Sequence, residues 1–137
     1  PYCNKFWADA RPWVDSGKVV LRHVMVGILT PTSAGKAAAL LAAKDPAAAL
    51  SAYERGHMEQ NGQSIASGRV RPLADAGLKP LEDIPADIER KLTANHRLMA
   101  SLGLQATPAM VWRDANGAVQ MRTGAPPSEI PAILGPR

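Results

Sequence analysis

The sequence predicts one α/β domain over residues 1–137. Three observations carry this: an apolar stripe between Asn4 and Val14, a Val-, Leu- and Ile-rich run from Val19 to Leu29, and two short strand-like runs around Asp114-Ala115-Asn116-Gly117. In the stripe, Phe6, Trp7, Ala10, Trp13 and Val14 recur at three- and four-residue spacings, which puts them on one face of a helix. Pro12 should kink or reset that helix near its end, because it has no N–H to donate. Gly17 then punctuates. The run that follows is interrupted only by Arg22 and His23, and its β-branched composition is that of a largely buried strand.

Thr30-Pro31-Thr32-Ser33 supplies turn and capping chemistry ahead of an alanine- and leucine-dense helix from Ala34 to Lys44. Asp45 fits the N-cap and Pro46 the first position of a second helix, expected to run to about Arg55 and end at Gly56. From Asn61 to Pro85 glycine and proline recur and the apolar periodicity fades, which predicts a long surface connection with one short helical turn at most. A helix resumes at Ala86 and runs to about Leu102. It turns Ile88, Leu92, either His96 or Leu98, and Met99 to the core, with Gly103 as its stop.

Pro108 to Arg113 and Ala118 to Arg122 then form a hairpin, since Asn116-Gly117 tolerates positive φ. Gly124 and Pro126-Pro127 lead to a last helix, capped by Ser128 and with Glu129 in its first turn. No internal repeat or low-complexity linker marks a domain boundary.

Composition narrows the function. At 137 residues and 46% hydrophobic the chain can bury a core, and no apolar stretch approaches the roughly 20 residues of a membrane span. The net charge is +4, but the sixteen Lys and Arg are scattered from Lys5 to Arg137 with no dense run, which argues against nucleic acid. His23, His57 and His96 lack any paired ligand spacing and read as solvated or core imidazoles, with no metal site expected. Gly35-Lys36 is followed by Ala37 and is helix sequence, not a phosphate loop. Trp7, Trp13 and Trp112 read as core or cleft walls, and Asp9 and Arg11 as an exposed helix face.

The chemistry concentrates at Pro1-Tyr2-Cys3. Cys3 is the one cysteine in the sequence, and these residues match the last three of a C-x-x-C motif cut after its first cysteine. A dithiol site works because one thiolate attacks and a second thiol resolves the mixed disulfide, so Cys3 alone would resolve without cycling. A chain opening on proline is therefore expected to be a mature or trimmed part of a longer sequence. An attacking thiolate at a helix N-terminus gains up to about 2 kcal/mol from unpaired N–H groups and the helix dipole. That favours a cysteine directly before Pro1 as attacker and Cys3, one turn further in, as resolver. Thr107-Pro108 opens the hairpin with a residue that cannot donate to the sheet, so a passing peptide could pair there as an added strand.

The order of helix, strand, helical insert, helix, hairpin and helix is that of a thioredoxin-like fold whose first strand is missing. Pro1-Tyr2-Cys3-Asn4-Lys5-Phe6-Trp7, Ala10 to Val19, Lys44-Asp45-Pro46-Ala47 and Ala106-Thr107-Pro108-Ala109 closely resemble the catalytic domain of the DsbC/DsbG-type periplasmic thiol:disulfide interchange proteins. The resemblance runs nearly the whole length. The lack of a further cysteine pair favours the DsbG branch.

The resemblance implies several expectations. Cys3 is the resolving cysteine, and Pro1, Tyr2, Thr107 and Pro108 meet the substrate. The Thr107-Pro108 bond is cis, with Thr107 facing the sulfurs. The parent is periplasmic, needs no small cofactor, draws electrons from a membrane reductase of the DsbD type and dimerises through an N-terminal domain absent from this chain. Its substrates are cysteine-containing periplasmic proteins with wrong disulfides or oxidised single cysteines. The other class left open is a redox-inactive peptide-binding or chaperone module on the same fold.

Overall fold

The computed structural model describes residues 1–74 and 77–136. Six α-helices and one two-stranded antiparallel sheet are formed by the described residues, giving the mixed α/β class that the sequence predicts. By contact they group into two compact units, one of residues 1–22, 58–71 and 104–137, the other of residues 23–57 and 72–103.

In the first unit, the predicted N-terminal helix is two: α1 (Tyr2–Asp9) and α2 (Arg11–Asp15), broken at Ala10. Pro12 falls in the first turn of α2, where a missing N–H costs nothing, so it restarts the helix where a mid-helix proline would bend it. The apolar stripe is as expected, with Trp7, Ala10 and Trp13 buried. The Trp13 indole Nε1–H donates to Gly135 O at 2.8 Å, so this ring is buried with its polar handle satisfied. Asp9 and Arg11 are half-buried, where an exposed face was expected. Asp9 takes the Lys5 ammonium at 2.6 Å, and the Arg11 guanidinium lies 4.0 Å from the centre of the Trp7 ring.

The hairpin pairs β1 (Ala109–Arg113) with β2 (Val119–Thr123), Val111 opposite Met121. Its turn uses one left-handed residue, Gly117 at φ 79°, and not the Asn-Gly pair. Asp114 organises the rest, accepting at Oδ1 from Asn116 N (2.9 Å) and Ala118 N (3.0 Å) and at Oδ2 from Gln120 Nε2 (2.8 Å). The last helix is a 3₁₀ turn, Pro127–Glu129, followed by α6 (Ile130–Leu134). Ser128 does not cap it: no side-chain cap bond forms at either start, because Pro126, Pro127 and Pro131 set the turn through their fixed φ. Glu129 pairs with Arg122 instead.

The second unit is built on α3 (Ser33–Ala42) and α5 (Ala86–Ser101), with Ala37, Ala38, Ile88 and Leu92 as an apolar cluster that Met25, Leu41, Leu81 and Ile84 extend. Alanines on α3 allow close approach, and at Gly35 a Cβ would meet Leu81 O at 2.6 Å. Of the two residues expected at the third core position of α5, His96 takes it, accepting Gly27 N–H at Nε2 (3.0 Å), while Leu98 is exposed.

Two expectations fail here. Val19 to Leu29 is not a strand: residues 19–28 carry no ladder, and Val20, Val24, Ile28 and Leu29 are exposed. A strand needs a partner for its N–H and C=O groups, and among the described residues β1 and β2 pair with each other alone. The second insert helix does not end at Gly56, because α4 runs from Pro46 to Ala66. Its start is as expected, with Asp45 Oδ1 accepting Ala48 N–H at 3.0 Å. Leu50, Glu54, His57 and Asn61 are all buried at spacings of four, three and four. A buried face thus holds the helix through the roughly 1 kcal/mol that Gly56 costs. The stop is Gly68 at φ 68°, where Gly68 N–H bonds Ile65 O (3.0 Å) and Arg69 N–H bonds Ser64 O (3.1 Å). The expected surface connection therefore begins after α4 and not at Asn61, and residues 75 and 76 of it lie outside the described residues.

Candidate functional site

Cys3 is the second residue of α1, half-buried and outside any disulfide. Pro1 is the N-cap and offers no side-chain cap, so the first N–H groups of α1 are not taken by a local cap. This is the concentration of N–H dipoles that favours a thiolate nearby. Tyr2, the residue before Cys3, is a large aromatic 56% exposed to solvent.

The other sequence-predicted residues, Thr107 and Pro108, belong to the same compact unit as Pro1, Tyr2 and Cys3. The Thr107-Pro108 bond is cis, as expected. Pro108 O accepts Gly124 N–H at 2.8 Å, which closes the open end of the hairpin and holds Thr107 just outside the ladder. Thr107 Oγ1 is buried and has no hydrogen-bond partner, a donor held ready for an acceptor.

Asn61 and Asn4 escaped the sequence reading. Asn61 is 2% exposed and Asn4 1%. Asn61 Nδ2 donates to Pro1 O at 2.7 Å and to Asn4 Oδ1 at 3.0 Å, bracketing Tyr2-Cys3 from α4. A signal existed: Asn61 continues the series Leu50, Glu54, His57, but three of its four members are polar and an apolar-periodicity count passes over them. Beside these residues α1 and α4 form a groove of about 370 Å³ lined by Ala8, Met58, Gly62 and Ile65 among others, with Lys5 and Asp9 also on it. His57 is buried too, its ring 4.8 Å from that of Tyr53 edge-on, with both ring nitrogens unpartnered.

Among the described residues no three His, Cys, Asp or Glu side chains come together as metal ligands, and no helix is long and apolar enough to cross a membrane.

No protein-family model matches the chain. Two relatives do, both called thiol:disulfide interchange protein DsbG. One, from Pseudomonas aeruginosa strain PAO1, is 47% identical over all of the chain; the other, from Escherichia coli strain K12, is 38% identical over 98% of it. The chain spans about half the length of each, 48%. With the helices and hairpin above, this defines the class: an α/β thioredoxin-like fold with a helical insert. Within that class the chain is similar to DsbG along the stretch it shares with these relatives.

Proposed function

We propose that residues 1–137 are the catalytic part of a longer periplasmic thiol-disulfide oxidoreductase or isomerase, with Cys3 as the resolving thiol of a C-P-Y-C motif whose first cysteine precedes Pro1. The observation that carries it is whole-length similarity to two DsbG proteins together with Cys3 in the first turn of α1.

The thiolate before Pro1 attacks one sulfur of a substrate disulfide; that S–S bond breaks and the other substrate sulfur leaves as thiolate, taking up a proton. Cys3, deprotonated, attacks the mixed disulfide. The C-P-Y-C disulfide forms, the second substrate thiol is released, and two electrons have passed to the substrate. In isomerisation a substrate thiol releases the enzyme instead, and no net electrons move. The reductive cycle is completed by a dithiol reductant, for which a membrane reductase of the DsbD type is the expected donor. The parent is read as a homodimer through a preceding domain.

Pro1 and Tyr2 shape the turn between the sulfurs and, with Thr107 and Pro108, meet the substrate. The unpartnered Thr107 hydroxyl supports a role donating to a sulfur anion. In the full-length protein, Cys3→Ala should accumulate mixed disulfides with substrate and lose reductive turnover, since attack survives while resolution by Cys3 fails. Non-reducing gels without adducts would count against this reading.

One observation favours a second reading, a peptide-holding module. Val111, Val119 and Met121 lie on one face of the hairpin and are each about half exposed. If full-length protein with both cysteines replaced by alanine suppresses client aggregation as well as the unaltered protein does, holding is independent of the thiols.

A further inference from the structure

We infer that Asn61 is a positioning residue for Cys3, an inference that rests on reading Cys3 as the resolving thiol. The amide orientation follows from its neighbours. Pro1 O can only accept, so the group 2.7 Å from it must be the Asn61 NH₂, and the second hydrogen of that NH₂ then goes to Asn4 Oδ1 at 3.0 Å. Both donors are thereby spent on the two residues flanking Tyr2-Cys3.

Pro1 O also accepts Lys5 N–H at 2.9 Å, the first hydrogen bond within α1. Asn61 thus grips the carbonyl on which the first helical turn closes, at a start that has no side-chain cap of its own. The remaining atom, Asn61 Oδ1, is buried and unpartnered, and a buried amide oxygen left unsatisfied is a cost to the fold. The side chain is therefore not held by its own satisfaction. What it contributes is two directional bonds that fix where the turn carrying Cys3 starts.

The consequence is that the balance between the C-P-Y-C dithiol and its disulfide depends on Asn61, because closing that bond needs both sulfurs at a set separation. The test uses the full-length protein with Asn61→Leu, similar in volume but with no donor, and Asn61→Asp, similar in shape with the donor replaced by an acceptor. Leu50→Ala, buried on the same helix but making neither bond, is the control for general destabilisation. The readouts are the equilibrium constant with glutathione and the rate of Cys3 alkylation in the reduced protein.

Both Asn61 variants should change the glutathione constant by about tenfold, the equivalent of one net hydrogen bond, and raise the alkylation rate, while Leu50→Ala lowers Tm and moves neither. If both readouts stay constant, or if Leu50→Ala moves them equally, the positioning role is overturned. Alkylation of Cys3 does not require that it take part in turnover. A protein in which Asn61 variants shift alkylation but Cys3→Ala keeps full reductive turnover would retain the positioning role and lose the proposed function.

Discussion

Two parts of the molecule are closed by different means. In the one built on α3 and α5, Ala37, Ala38, Ile88 and Leu92 meet with no polar atom among their side chains. In the one carrying Cys3, Trp7, Trp13, Met110, Ile130 and Ile133 are buried in company with Asn4 and Asn61. Apolar burial is non-directional, so it sets how much is buried and leaves the relative rotation of helices loosely specified. Two amide hydrogen bonds set a register. Around Cys3 the paired amides fix a turn, whereas the α3–α5 cluster is held by burial alone; Glu54 and His57, the other buried polar residues, lie on α4 outside that cluster.

The largest effect expected is at Trp13. Trp13→Ala removes a ring that is 2% exposed and the bond to Gly135 O, and should cost about 3–5 kcal/mol in chemical denaturation. A loss under about 1 kcal/mol would mean that the Cys3-bearing unit does not rest on this ring.

The next effect separates the two kinds of closure directly. Leu92→Met conserves volume in the apolar cluster and should cost less than about 1.5 kcal/mol. Asn61→Leu also roughly conserves volume, yet it removes a donor to Asn4 Oδ1 and one of the two bonds on Pro1 O. It should cost about 1–3 kcal/mol even though it removes an unsatisfied Oδ1 as well. Equal stability of the two variants by urea denaturation would erase the distinction between the two kinds of closure.

These contrasts also explain what the sequence made legible. The helix with Ile88 and Leu92, the stripe with Trp7, Ala10 and Trp13, the Asp45-Pro46 start, the Gly103 stop and the hairpin all announce themselves locally, through periodicity, capping or turn chemistry. Cys3 and Thr107-Pro108 were legible as motif residues. What was hidden depends on partners far along the chain. Val19 to Leu29 has strand composition, but composition does not supply a neighbouring strand. Gly56 has the chemistry of a stop, but Leu50, Glu54, His57 and Asn61 form a buried face across it, and a left-handed φ is needed for a stop. Asn61 looked like loop because its role is a bond to residues 60 and 57 positions earlier.

The smallest effect lies at the far end of the hairpin, where Asp114 does with a charge what Asn61 does with an amide. The Gln120 side-chain amide is the main cause holding its carboxyl below the ordinary value of 3.8; desolvation opposes it next, and the backbone N–H groups of Ala118 and Asn116 add smaller lowering contributions. A carboxyl lowered on folding contributes stability that is fully present above the unfolded value and lost as pH falls through the folded one. Wild-type Tm should therefore drop as pH goes from about 5 to about 2.5 by more than that of Asp114→Asn, which keeps an oxygen for the two backbone donors but has no charge to lose. Because the carboxylate is solvent-exposed, the difference should be small and should shrink further in high salt. Parallel pH curves for the two proteins would show that the turn is held by Gly117 and strand pairing alone, with the charge on Asp114 adding nothing.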